Sequence, residues 1–334
     1  MPFADIVGHQ KQLKSLRHSL ETERLHHAYL FVGPEGVGKK TVAQAVAKCL
    51  HCREQRLDFC DQCPACSSIR DGNCPDVHLI QPQAGKKEIS INQIRDLIGK
   101  ISLRSFSGRR KVALVDPAEL MNYHAQNALL KTLEEPPENS ALFLITQNSG
   151  VLLPTLLSRC LRVSFGFLSL RDTTEFLTRK KDLDLAASQL RAALTMGSIG
   201  QALAWSEEDI KTERREWIER YCRLPEQDHR SALSFAEDLA MDKDKCLKVL
   251  QWLEGWNRDV LALQVTGNQH MIRNFDLLEN LQKQAFSGSR EETLRRLSEL
   301  GSVLEALQKT YNRRMILENL FVKLVGWRHA HAAS

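Results

Sequence analysis

Apolar and polar positions follow two regimes along this chain. Through residue 165, apolar runs of strand length alternate with stretches of helical spacing. The runs 28–32, 76–80, 111–116, 141–146 and 161–165 predict strands. Lys111-Val112-Ala113-Leu114-Val115-Asp116 has the unbroken apolar character of a strand covered on both faces, as in a parallel sheet. Helices are predicted over 9–22, from Lys39 to Leu50, through Ile94, Leu97, Ile98 and Ile101, and from Ala125 to the stop at Pro136-Pro137. A short helix runs from Pro154 to Leu157. After Phe165 the alternation ends. Residues 169–206 read as short helices, and 207–334 as helical throughout, with core faces at Leu247, Leu250, Trp252, Leu253 and Trp256 and at Leu317, Leu320, Phe321, Leu324 and Val325. The expected class is α/β: a parallel-sheet domain over 1–165, a small helical lid over 166–206 and an all-α domain over 207–334.

The first strand leads into Gly33-Pro34-Glu35-Gly36-Val37-Gly38-Lys39-Lys40-Thr41. Strand, glycine-rich turn and helix start make the geometry of a phosphate-binding P-loop. Glycines allow the backbone to wrap phosphates, and the helix start offers N–H groups and a positive dipole end. Gly33, Gly36, Gly38 and Lys39 build that cradle, or keep it as a relic because the turn needs glycines. The pattern asks for a Mg²⁺-binding hydroxyl after Lys39. Lys40 stands there, and Thr41 comes one position late. Asp116 ends its strand as a Mg²⁺-supporting carboxylate would, or caps the strand and bonds to the loop. A carboxylate that polarises the attacking water would come next; Pro117 occupies that position, and Glu119 lies two further on. Thr146 ends the 141–146 strand on the side where ligands bind in such sheets.

Composition narrows the class. The apolar fraction is 43%, the charged fraction 26% and the net charge +5, as in an ordinary soluble protein. That charge permits nucleic-acid contact without arguing for it. The sequence carries no apolar run of membrane length and no signal-peptide pattern, so a cytoplasmic location is expected. Of nine cysteines, Cys49, Cys52, Cys60, Cys63, Cys66 and Cys74 crowd into one segment. In a reducing compartment this is metal-site spacing rather than a disulfide framework. Cys60, Cys63 and Cys66 with Cys52 would close a tetrahedral zinc site; Cys49 and Cys74 are the alternatives for the fourth ligand. No open position or adjacent base is present, so the zinc reads as structural. The tryptophans at 205, 217, 252, 256 and 327 read as core. Arg104, Arg109, Arg110 and Lys111 read as a solvated turn or as phosphate contacts.

The P-loop, the cysteine cluster behind its helix, Leu130-Lys131-Thr132-Leu133-Glu134-Glu135-Pro136-Pro137 and Ser158-Arg159-Cys160 occur in close order. Together they resemble the bacterial clamp-loader subunits of DNA polymerase III, within the AAA+ superfamily. The resemblance is specific over 1–205 and limited to helical character beyond. It implies an AAA+ P-loop domain with a zinc module at about 52–66, a lid and a helical collar that holds five subunits together. It implies gamma/tau and delta subunits as partners, with the sliding clamp and primed DNA reached through the complex. Arg159 matches the arginine that reaches the ATP of a neighbouring subunit in trans, and Cys160 reads as a packed thiol. Lys131, Glu134 and Glu135 read as interface or salt-bridge residues. In Met196-Gly197-Ser198-Ile199-Gly200-Gln201-Ala202 the family's sensor arginine position holds Gly200. Lys40, Pro117 and Gly200 together point to a non-hydrolysing member, with ATP or ADP binding left open. The alternatives are an active gamma/tau-type ATPase and a free-standing AAA+ nucleic-acid remodeller.

Overall fold

The structure is a computed structural model and describes residues 3–54, 57–181, 183–224, 228–308 and 312–331. In chain order the elements are α1 (Gln10–Glu21), β1 (Ala28–Val32), α2 (Lys39–His51), α3 (Pro64–Arg70), β2 (Val77–Ile80), α4 (Ile91–Ser102), β3 (Lys111–Val115), α5 (Tyr123–Glu134), β4 (Ser140–Thr146), α6 (Pro154–Leu157), β5 (Leu161–Ser164), α7 (Leu170–Lys181), α8 (Leu185–Leu194), α9 (Ile199–Ala204), α10 (Arg214–Arg223), α11 (His229–Ala240), α12 (Lys243–Thr266), α13 (Leu278–Ser287), α14 (Arg290–Gln308) and α15 (Arg313–His331). They form two compact units. One comprises Met1–Asp182 and Met196–Ala202; the other comprises Leu183–Thr195 and Leu203–Ser334. The 166–206 stretch contributes to both.

The first unit is built on a five-stranded sheet in the order β2-β3-β4-β1-β5, with parallel pairing throughout. The central strands β1, β3 and β4 are buried along their whole length, as their unbroken apolar runs predict. One face packs on α1, α2 and α3 through Leu13, Leu16, Val42, Val46 and Phe143; the other packs on α4 and α5 through Ile94, Leu97, Leu129 and Leu144. Sequence signals set the helix ends. Ser90 and Gln93 form a capping box at α4, Asn122 caps α5 by accepting from Ala125 N, and the double proline follows α5.

A buried carboxylate shapes the connection from α4 to β3. Asp76 accepts from Ser105 Oγ (2.9 Å), Phe106 N (2.9 Å), Ser107 N (2.8 Å) and Ser107 Oγ (2.7 Å). Burial opposes its ionisation, but the Ser105, Phe106 and Ser107 hydrogen bonds outweigh it and hold the carboxyl at about 2. In the basic turn after this loop Arg104 and Arg109 are exposed, as a solvated turn predicts, while Arg110 is half-buried and Lys111 buried. Arg109 donates to Leu50 O (3.1 Å) and Cys52 O (2.7 Å), Arg110 to Leu25 O (2.9 Å) and Lys111 to Lys100 O (2.6 Å). Backbone carbonyls thus hold three of these cations as well, a demand that the sequence does not display.

The second unit is helical. Its core joins Trp205, Trp217, Tyr221, Phe235, Leu250, Trp252, Trp256, Leu320 and Phe321. Trp217 and Phe321 each meet Phe235 edge-on, at 5.0 and 4.6 Å between centroids. The expected core faces on α12 and α15 are the buried ones, with Leu247 half-buried at their margin. The side chain of Trp327 lies outside the described residues.

Candidate functional site

The sheet order gathers three strand ends at one edge. β1 runs into the P-loop, with β4 beside it and β3 beyond. Thr146 is in register with Val32, and its carbonyl accepts from Gly33 N at 3.2 Å. Asp116 follows β3, so the predicted Gly33–Thr41 turn, Asp116 and Thr146 meet at the carboxyl ends of the strands. Glu119 joins them, with Oε1 accepting from Gln147 N at 3.1 Å and Oε2 buried without a partner.

The glycines are held by different causes. A Cβ at Gly33 would lie 2.2 Å from Phe165 O, so this glycine is required by close packing. Gly36 adopts φ +74°, and a Cβ there would lie 2.3 Å from Ser198 Oγ. Gly38 faces open space but adopts φ +102° at the N-cap of α2, a conformation that disfavours any side chain.

Both lysines are engaged within the chain. Lys39 is 6% exposed and donates from Nζ to Gly33 O and Pro34 O, each at 2.6 Å. Burial lowers its pKa, against the attraction of Glu119, Asp116 and Glu35. Lys40 Nζ lies 3.8 Å from Asp116 Oδ2. Burial raises the Asp116 carboxyl, and Lys40 and Lys39 pull it back. Thr41 is exposed on α2. Thr146 is buried, and its Oγ1 accepts from Asn148 N at 3.1 Å.

The turn is also covered from its own unit. Gly200 N donates to Gly36 O at 2.8 Å, and Ser198 Oγ donates to Glu35 O at 2.9 Å. A Cβ at Gly200 would sit 2.7 Å from Gly36 Cα. The position singled out for a missing arginine is thus a backbone-on-backbone seat. Ser198 was not singled out; its only sequence signal was its place beside Gly200.

Arg159 lies away from this edge. Its Nη1 donates to Thr155 O (2.8 Å) and its Nη2 to Glu134 Oε1 (2.6 Å), with 34% of the side chain exposed. The fold therefore joins the Ser158–Cys160 motif to the Leu130–Pro137 motif and gives Glu134 a specific partner. Cys160 is a packed thiol that burial pushes up to about 12.

The sulfurs of Cys52, Cys60, Cys63 and Cys66 lie within 4.8 Å of one another, with Cys52 and Cys60 at 3.8 Å. Zinc–sulfur bonds near 2.3 Å in a tetrahedron set sulfurs about 3.8 Å apart, so this donor set fits zinc. Cys52 caps the end of α2, while Cys63 and Cys66 sit at the start of α3. That helix is not among the elements predicted from the sequence. Cys49 and Cys74 lie outside the four-sulfur group.

Comparison with known proteins shows the family. A family profile described as "DNA polymerase III, delta subunit" matches residues 8–168. The DNA polymerase III subunit delta' of Pseudomonas aeruginosa is 31% identical over 89% of this chain and 91% of its own length. The chain belongs to the delta-prime family. The Bacillus subtilis delta-prime subunit is 30% identical over 93% of this chain and 94% of its own length. The Escherichia coli tau subunit is 36% identical, but over 62% of this chain and 33% of its own length. The delta-prime relatives thus span both units, while the match to tau covers only part of either chain. No helix among the described residues is long and apolar enough to cross a membrane.

Proposed function

We propose that this chain is a delta-prime subunit of a DNA polymerase III clamp loader that does not hydrolyse ATP itself. It joins gamma/tau and delta subunits in a cytoplasmic hetero-oligomer, with residues 207–334 as the collar segment. The complex places the sliding clamp on primed DNA. The observation that carries this reading is Lys40 beside Asp116. Mg²⁺ and a hydroxyl would meet that carboxylate in an active site; here the Lys40 ammonium lies beside it. Lys39 is held by the loop's own carbonyls, and Pro117 replaces the water-polarising carboxylate. Loss of one preorganised group in such a site costs roughly 3–4 kcal/mol of barrier. Gly33, Gly36, Gly38, Lys39, Lys40, Thr41, Asp116 and Thr146 then mark a vestigial nucleotide site.

Arg159 is the residue we assign to a neighbour's ATP. Its bond to Glu134 is a half-exposed ion pair, a type worth about 0–1 kcal/mol, so it exchanges readily for a phosphate. The four cysteines hold a structural zinc. In the reconstituted complex, Arg159→Ala is expected to slow DNA-dependent hydrolysis at the site it serves by about a thousandfold. Unchanged hydrolysis would remove that role. The gamma/tau-type ATPase reading is favoured by matches to tau and gamma subunits, each over only part of this chain. ATP turnover by the purified chain, abolished by Lys39→Ala, would establish it in place of ours.

A further inference from the structure

Arg159, assigned above to a neighbour's ATP, is already held by its own chain. Its Nη1 donates to Thr155 O (2.8 Å) and its Nη2 to Glu134 Oε1 (2.6 Å). The backbones on both sides are anchored. Leu129 and Leu133 of α5 share a buried core with Leu156 of α6, and Leu157 and Cys160 pack against it. Only the two side chains can change their relation without unpacking that core.

Helix stability does not account for Glu134. It is the last residue of α5, and Glu135 follows at the C-cap. The C-terminal end of a helix carries partial negative charge and favours cations. Two consecutive carboxylates are the wrong sign for that position, and Lys131 is the one cation that α5 itself supplies in its last turn. The second cation comes from 25 residues away, as Arg159. The carboxylate is thus placed for the arginine rather than for the helix.

An arginine acts on a transferred phosphate through its charge and its fork of N–H donors. With Glu134 at hydrogen-bond distance, the charge is offset and part of the fork is spent. Yet the side chains are 34% and 51% exposed, so water screens the pair and it opens at little cost. Such a contact is short enough to hold the guanidinium and weak enough to release it.

We propose that Glu134 is a positioning residue for Arg159, a latch that keeps the guanidinium on its own subunit and yields it to the phosphate of the adjoining one. The latch presupposes the trans role assigned to Arg159 above. Glu134 touches no substrate; it is the group with which the phosphate competes.

ATP hydrolysis by the reconstituted complex on primed DNA tests the latch. The neighbours carry alanine in place of their own trans arginines, so that only the site served by Arg159 reports. Four forms of this chain are compared: native, Glu134→Gln, Arg159→Ala and the double variant. Glu134→Gln keeps the shape and removes the charge. It is expected to raise kcat/KM about two- to fivefold, the scale of one half-exposed ion pair. The gain should vanish in the Arg159→Ala background, a coupling that a merely structural role would not produce. An unchanged or lower kcat/KM in Glu134→Gln would overturn the latch, as would a gain that persists without Arg159. A full loss in Arg159→Ala beside an unmoved Glu134→Gln removes the latch alone. Unchanged hydrolysis in Arg159→Ala removes the trans role and the latch with it.

Discussion

Asp76 illustrates how much one buried side chain can decide. It is the first polar residue before β2, and it looks like an ordinary strand start. The four donors it collects lie 29 to 31 residues further on, so no local pattern announces it. Its folded carboxyl sits at about 2, below the usual 3.8. The stability it contributes is therefore full above the usual value and is lost as pH falls through about 2. Asp76→Asn keeps the shape but loses acceptor strength, and is expected to destabilise the sheet unit by about 2 kcal/mol at neutral pH. Urea unfolding measures this, and the gap between the two proteins should close as pH is lowered towards the folded value. Glu134 shows the same limit in milder form. Its motif was visible in the sequence, but its partner Arg159 stands 25 residues away and becomes specific only in the fold. Lys39, Lys40 and Asp116 were legible because the P-loop pattern fixes their neighbours in advance.

At the scale of elements, the strands were the most legible feature. Central parallel strands must be apolar on both faces, and that requirement is written directly into 28–32, 111–115 and 141–145. α3 was not legible. It has seven residues and begins at Pro64 inside the cysteine spacing, so metal-ligand chemistry masks its periodicity. The start of α9 carries a second feature that the sequence does not display. Gly200, read as the place of a missing arginine, is also where one backbone lies directly on another. Gly200→Ala must push the start of α9 away from Gly36, because the new Cβ would be 2.7 Å from a backbone atom. The expected cost is about 1–3 kcal/mol, the range for overpacking. Thermal unfolding followed by near-ultraviolet dichroism would register it. A change of no more than a few tenths would mean that the contact yields freely.

For the whole molecule, the cores are separate. Among the described residues, the clusters around the sheet contain residues up to Phe165, and the helical core starts at Leu190. The first were predictable from motif and period. The second was predictable as helical but not in its pairing, because helix partners are chosen by long-range packing. The cysteine cluster belongs to the sheet unit, where Cys52, Cys63 and Cys66 pack with Phe59 and Ile69. Withdrawing the metal with a chelator should raise hydrogen exchange across residues 49–74 and leave the helical core unchanged. Metal analysis of the untreated protein should give close to one zinc per chain; less than about half an equivalent counts against the site. The chain itself passes between the units at Asp182–Leu183, again at Thr195–Met196 and once more at Ala202–Leu203. The two units are therefore laced rather than strung in series. A truncation at Asp182 would strip the sheet unit of Ser198 and Gly200, and one at Ala202 would carry α8 away from the helical core. Any exchange of the helical unit between related proteins, in the laboratory or in evolution, must splice three junctions at once to leave both halves whole.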